Sequence, residues 1–204
     1  GKIDGNNHKI INLFEENDNE FETVALFERL FNASIKNLII ENANFSGYDV
    51  AIIAGDIVNS TIEDVLIKKS NIVANNSGGG ICINLMENSK IERCGVRESS
   101  IIGKNLKDYS ATGGIAACAD ENAVIKNCYN TSQINGAKIS GGIFGMSTYG
   151  EVYIENAYNS GKISEGEYSG GIYGKQEEWT TVNVKNCYDI EDNVKIIGNN
   201  EKGT

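Results

Sequence analysis

The chain has 204 residues, of which 40% are hydrophobic, and a formal net charge of −10. This length fits one domain or one continuous repeat array. The charge disfavours nucleic acid and anionic membrane surfaces as partners, and no apolar run reaches the length of a transmembrane helix, so no membrane insertion is expected.

The first residues already show a repeating pattern. Ile10-Ile11-Asn12-Leu13 matches the core of the units that follow, which predicts an earlier partial coil. We expect one β-solenoid repeat domain over 1–204, with an opening coil at 1–24, repeats at 25–198 and a tail at 199–204. The chain starts at Gly1 without Met or a signal peptide, so we interpret it as a segment excised from a larger protein.

Six units follow, with spacings of 27, 29, 34, 29 and 30 residues between their anchor positions. The anchors are Ile35, Ile62, Ile91, Ile125, Ile154 and Val184. Two places later stand Asn37, Asp64, Arg93, Asn127, Asn156 and Asn186, each followed by Leu38, Val65, Cys94, Cys128, Ala157 and Cys187. Two further apolar columns are Leu26, Ile53, Ile81, Ile115, Ile143, Ile172 and Phe45, Ile72, Ile101, Ile134, Ile163, Val194.

Each unit therefore has three short β-prone segments separated by Gly, Asn, Ser or charged residues. This pattern predicts an all-β fold, a right-handed parallel β-solenoid (β-helix) of about six to seven coils with three strands per coil. The alternative is a leucine-rich-repeat-like solenoid, since Ile35-x-x-Leu38-x-Ile40 matches that spacing. Exposed coil ends would favour self-association through edge pairing.

The units differ in two respects. The first three have Ile40, Ile67 and Val96 two places after the small column, whereas the last three have Asn130, Asn159 and Asp189. The 34-residue spacing between Ile91 and Ile125 predicts an insertion around 104–109 that protrudes from one edge.

The last three units contain motifs of a known type. These are Gly141-Gly142-Ile143-Phe144-Gly145, Gly170-Gly171-Ile172-Tyr173-Gly174, Asn127-Cys128-Tyr129-Asn130-Thr131-Ser132 and Asn156-Ala157-Tyr158-Asn159-Ser160-Gly161. They resemble the GLUG-motif repeats of bacterial surface proteins, with Ile in place of the family's Leu. The resemblance implies a secreted or wall-attached protein of the kind found beside adhesins and in non-catalytic regions of IgA-specific metalloproteases. It implies no catalytic residues.

Parallel β-helices also host polysaccharide-degrading enzymes, which are an alternative here. Such enzymes need paired carboxylates, or a cationic base with a metal. The candidate acids are Asp56 with Glu63 and Asp64, which surround a coil corner, and Glu177 with Glu178 in the stretch 176–179. Neither set recurs with a nearby Arg, so we predict solvated corners rather than catalytic residues.

Cysteine offers little further chemistry. Cys94, Cys128 and Cys187 fall in an inward column and are interpreted as small core residues. Cys94 and Cys128 would lie on adjacent coils about 5 Å apart, and the sequence leaves open whether they form a disulfide. No C-x-x-C spacing exists, so we expect no metal and no cofactor.

The strongest candidates for recognition are aromatic. Tyr129, Tyr158 and Tyr188 follow the small inward column by one residue and should point outward. Such a ladder is suited to stacking on sugar rings or to burial in a protein partner. Trp179 and the corner that contains Tyr149 are expected near the same end of the rod, where they would extend this surface. The competing interpretation is a mutually stacked ladder that stiffens the sheet.

We therefore predict a non-catalytic repeat module of a bacterial extracellular or cell-wall-attached protein. Its role would be adhesion or ligand presentation, with a host glycan or extracellular protein as partner. The alternatives are a purely structural stalk or spacer and, second, the polysaccharide-degrading enzyme.

Overall fold

The structure is a computed structural model that describes residues 1–104, 107–136, 138–164, 166–190 and 195–200. Within these ranges the chain forms three sheets, all strand pairings are parallel, and no helix is present. The strands wind around a common core as a β-solenoid of about six coils. This confirms the predicted solenoid and excludes the leucine-rich-repeat alternative, whose units pair one strand with a helix or a 3₁₀ turn.

The three sheets follow one another along each coil. Among the described residues the first sheet has eleven strands: Lys2–Ile11, Ser34–Glu41, Thr61–Lys68, Lys90–Glu92, Gly95–Arg97, Ala123–Lys126, Tyr129–Asn130, Gly150–Glu155, Tyr158–Asn159, Thr180–Lys185 and Tyr188–Asp189. The second sheet contains Phe14–Asn17, Asn44–Gly47, Asn71–Ala74, Ser100–Gly103 and Gln133–Gly136. The third contains Thr23–Val24, Phe27–Phe31, Asp49–Ala51, Ala54–Val58, Gly78–Gly79, Cys82–Met86, Ala111–Gly113, Ala116–Ala119, Ile139–Gly141, Phe144–Ser147, Tyr168–Gln176 and Lys195–Asn200.

The strand register confirms the aligned columns. In-register pairs join all six anchors, Ile35, Ile62, Ile91, Ile125, Ile154 and Val184. The column that starts at Phe45 continues in register to Ile163, and its expected last member, Val194, lies outside the described residues. These side chains face one core that runs along the rod, so each coil is stabilised by its neighbours.

The polar residue two places after each anchor lies at a corner where the backbone bends. All six of these residues adopt a φ between 51° and 54°, from Asn37 to Asn186. Asn and Asp accept this left-handed conformation at lower cost than other non-glycine residues. The recurrent Asn therefore marks the bend that divides the first sheet's face in each coil.

The opening coil exists, but its alignment differs from the expected one. Ile3 rather than Ile10 pairs with Ile35, and Ile10 pairs with Ile40. The reason is a bulge in which residues 5–7 lie opposite a single corner residue of the next coil. Two of these three residues have positive φ, which lets the extra length turn outward locally.

The same end of the rod has a second feature that opposes edge pairing. Glu15 lies in register with Phe45, so a charged residue takes a position that is apolar in later coils. Bulges and inward charges are both devices that protect sheet edges. Self-association through the coil ends stays a prediction.

The insertion lies where the spacing predicted it. Three residues separate Ala74 from Gly78, and eight separate the register partners Gly103 and Thr112. Asn105 and Leu106 lie outside the described residues. Lys138, at the same corner of the next coil, forms ion pairs with Asp108 and Glu167.

Candidate functional site

The Tyr column lies on the outside of the first sheet, after the Asn corner. Tyr129, Tyr158 and Tyr188 are in-register partners on three successive coils. Cys128 and Asn130, on either side of Tyr129, are buried, because successive residues of a strand point to opposite faces. The alternation therefore directs the Tyr side chains toward solvent.

The column is closed at one end and open at the other. The Tyr129 ring covers Gly95 so closely that a Cβ there would lie 2.7 Å from its hydroxyl oxygen. Burial raises the pKa of Tyr129. The Tyr129 and Tyr158 rings stack with centroids 5.5 Å apart and planes 10° apart. Exposure rises to 39% at Tyr158 and 66% at Tyr188, so the accessible aromatic surface belongs to these last two rings.

An open depression of about 530 Å³ lies between the coils of these two Tyr residues. Its lining is Asn156, Ala157, Tyr158, Asn186 and Tyr188. None of the lining residues carries a charge, although the chain as a whole has a net charge of −10. We call this depression, with its five residues, the Tyr slot.

The corner amides hold one side of the Tyr slot in place. Asn186 Nδ2 donates to Asn156 Oδ1 at 3.2 Å, and Asn156 Nδ2 donates to Asn127 Oδ1 at 3.0 Å. The corner backbone is fixed by the ladder bond from Asn156 N to Lys185 O. The amides therefore stand beside the aromatic rings in a defined orientation.

Trp179 does not belong to this surface. It is 77% exposed and lines a separate depression with Tyr149 and several acidic corner residues, including Glu87 and Glu121. This depression is at the other edge of the first sheet, and the strand Gly150–Glu155 separates it from Tyr158. The structure brings the three Tyr residues together and leaves Trp179 apart.

A buried amide ladder lies directly behind the Tyr column. Asn130 and Asn159 are fully buried. Asn130 Nδ2 donates to Asn159 Oδ1 at 2.8 Å, and Asn159 Nδ2 donates to Asp189 Oδ1 at 2.9 Å. Asn159 Oδ1 also accepts from the backbone N–H of Gly161. This ladder fixes the strands from which the Tyr side chains project.

Glycine makes room for that ladder. A Cβ at Gly142 would lie 2.5 Å from Cγ and 2.7 Å from Cβ of Asn159, and Gly114 faces Asn130 in the same way. This explains why the second Gly of the Gly-Gly-Ile motif recurs together with Tyr-Asn. The sequence analysis did not assign this role to the glycine. Asn130 stands two residues after the inward Cys128, and residues two apart on a strand share a face, so its inward direction could have been predicted.

The acidic candidates lie in different sheets, and Asp56, Glu63 and Asp64 contact Arg side chains that do not stand beside them in the sequence. Asp56 lies in the third sheet, where Arg29 contacts it at 2.6 Å. Arg93 contacts Asp64 at 2.8 Å and Glu63 at 3.4 Å in the first sheet. These partners come from neighbouring coils, which is why the linear sequence hides them.

The electrostatics of these carboxylates oppose general acid chemistry. The hydrogen bond from Arg93 lowers the pKa of Asp64, whereas a general acid near neutral pH needs a raised pKa. Glu177 accepts a hydrogen bond from Lys175 at 2.6 Å, and Glu178 is exposed at the Trp179 corner.

The five Cys residues are free thiols. Cys94 and Cys128 occupy the inward column, and each sulfur donates to a backbone carbonyl two residues earlier. Burial raises the pKa of Cys94 well above its usual range. In the described part of the chain, no group of three or more His, Cys, Asp or Glu is placed to hold a metal.

Fold and surface together define a parallel β-solenoid repeat module with an aromatic outer slot. No protein-family profile matches the chain. The chain is 25% identical over 183 residues to an immunoglobulin A1 protease of Streptococcus pneumoniae. The match covers 73% of this chain but only 9% of that protease. This distant similarity and the solenoid fold are both compatible with GLUG-type repeats. Among the described residues no helix is long and apolar enough to cross a membrane.

Proposed function

We propose that this chain is a non-catalytic, GLUG-type solenoid module of a secreted or cell-surface bacterial protein, and that it presents the Tyr slot to an extracellular ligand. One observation carries the proposal: an exposed, uncharged aromatic slot stands on a rod whose net charge is −10. Exposed aromatic side chains that share a surface with polar groups are typical of binding sites. The similarity to a small part of a much longer protease supports a role as one module among others.

The neighbouring surface supports this interpretation because its charges are already paired with each other. On the outer face of the first sheet, Lys126 contacts Glu155 at 2.8 Å and Lys185 contacts the same carboxylate at 3.3 Å. Lys90 bridges Glu63 at 3.1 Å and Glu92 at 2.7 Å. These contacts pair the charges beside the Tyr slot with one another, whereas the Tyr158 and Tyr188 rings stay exposed.

A structural spacer is the second candidate, and one contact favours it. The Tyr129–Tyr158 stack uses one ring face of each residue within the rod, as a stiffening ladder would. A spacer needs no ligand, so the two functions differ in whether the Tyr slot binds anything.

The test is binding of the purified chain to a panel of glycans, mucins and extracellular-matrix proteins. Tyr158→Ser removes the central ring of the Tyr column, which is one of the two rings of the Tyr slot, and Tyr153→Ser is the matched control. Tyr153 is 40% exposed, close to the 39% of Tyr158, but projects from the strand Gly150–Glu155. Saturable binding that only Tyr158→Ser weakens supports ligand presentation. Absence of binding to every member of the panel, by a chain that is shown to be folded, supports the spacer.

A further inference from the structure

We propose that the Tyr slot binds an uncharged pyranose ring of a glycan. This inference rests on the proposed function and adds the chemical class of the ligand. It starts from the composition of the slot, which contains two Tyr rings, two Asn amides and the small Ala157.

The aromatic and amide groups match the two kinds of surface on a pyranose. One face of such a ring presents C–H groups, which pack on the face of an aromatic ring, while its equatorial hydroxyls need hydrogen-bond partners at the edge. A primary amide supplies both donors and an acceptor. Asn156 and Asn186 lie at the slot beside Tyr158 and Tyr188, so both contacts are available from one side.

The charge of the site selects against acidic sugars. A uronic or sialic acid brings a carboxylate, which is costly to desolvate without a cation or several directed donors. The slot has no Lys, Arg or His in its lining. The nearby Lys185 forms an ion pair with Glu155, with its Nζ 3.3 Å from the carboxylate oxygen. A net charge of −10 adds long-range repulsion toward polyanions.

The ring spacing also limits sugar binding to the open end of the Tyr column. A sugar inserted between two rings needs about 7–8 Å, which is two van der Waals contacts. The Tyr129 and Tyr158 centroids are only 5.5 Å apart, so their stack excludes a ligand. The binding position is therefore the exposed outer surface of Tyr158 and Tyr188, on which a sugar ring lies without entering a gap between two rings.

The experiment is titration of the intact chain with uncharged oligosaccharides (lactose, maltotriose and chitotriose), with sialyllactose and trigalacturonate as acidic probes. Ligand-observed NMR and calorimetry report saturable binding. We expect at least one uncharged probe to bind, and Tyr188→Ala to weaken this binding about two- to tenfold, through loss of a stacking contact. Tyr188 is 66% exposed, so this variant should remain folded. Tyr153→Ala and Trp179→Ala should bind as the original chain does.

The possible failures are distinguishable. Binding of only acidic probes or proteins, lost in Tyr188→Ala, would overturn the sugar class and leave the proposed function standing. Binding of uncharged sugars that survives Tyr188→Ala and Tyr158→Ser would overturn the site. Absence of saturable binding to both the sugar probes and the protein panel would overturn the inference and ligand presentation together.

Discussion

Asn159→Ala should destabilise the solenoid although the residue touches no solvent and belongs to no proposed site. Asn159 is 0% exposed and takes part in four hydrogen bonds. Its amide nitrogen donates to Gly161 O and Asp189 Oδ1, both at 2.9 Å, and its oxygen accepts from Asn130 Nδ2 at 2.8 Å and Gly161 N at 3.2 Å.

The magnitude follows from which partners lose their bonds. Gly161 is buried, so its N–H and C=O are left without their partner, at about 1–3 kcal/mol for each group. Asn130 keeps its bond to Ser132 O, and the half-buried Asp189 is accessible to water. We expect a loss of about 3–5 kcal/mol in the free energy of unfolding, which lowers Tm by roughly 6–20 °C for a chain of this size.

Urea unfolding followed by circular dichroism and by Trp179 fluorescence measures this change. Asn183→Ala is the matched control, since Asn183 lies exposed on the outer face of the strand Thr180–Lys185. It should change stability by less than about 0.5 kcal/mol. If Asn159→Ala were as stable as Asn183→Ala, the buried ladder would contribute nothing and the reasoning would be refuted.

Two more predictions concern packing and pH. Gly142→Ala should lower stability by about 3 kcal/mol or more, because its Cβ would overlap Asn159 and the carbonyl of Gly171. Gly78→Ala should cost clearly less, because the closest atom to its Cβ is the Ala74 methyl at 3.2 Å, and no backbone atom lies within overlap distance. Equal urea midpoints for the two variants would contradict this. Hydrogen bonds from Lys68 and Lys9 lower the pKa of Glu41 to about 2, and those from Asn37, Asn6 and Lys36 lower the pKa of Asp4 to about 2. A lowered folded-state pKa gives stability that is present above the unfolded value near 4 and is lost as pH falls toward 2. Urea midpoints should therefore drop between pH 5 and pH 2, and Glu41→Gln should show a smaller drop; an unchanged drop in that variant would count against the ion-pair assignment.

Much of the fold could be predicted from the sequence because a solenoid repeats its contacts along the chain. Each inward position recurs at nearly constant spacing, so aligning Ile35, Ile62 and Ile91 already identifies residues that stack. The outward direction of Tyr158 also follows from local alternation. The insertion after Gly103 appears directly as extra length.

Other features depend on contacts between coils that no local pattern specifies. The pairing of Asp56 with Arg29 joins residues 27 positions apart and depends on which face each strand turns outward. The bulge at residues 5–7 shifts the opening coil by a length that only its backbone conformation reveals.

The candidate site shows the same division. Sequence by itself determined that three Tyr residues form an outward column, since strand alternation is a local property. Only the tertiary structure decided that Tyr129 is covered, that the slot opens between Tyr158 and Tyr188, and that Trp179 stands apart. The physical reason is that ring packing and the angles of the coil corners are set by neighbouring coils, about 30 residues away in the chain.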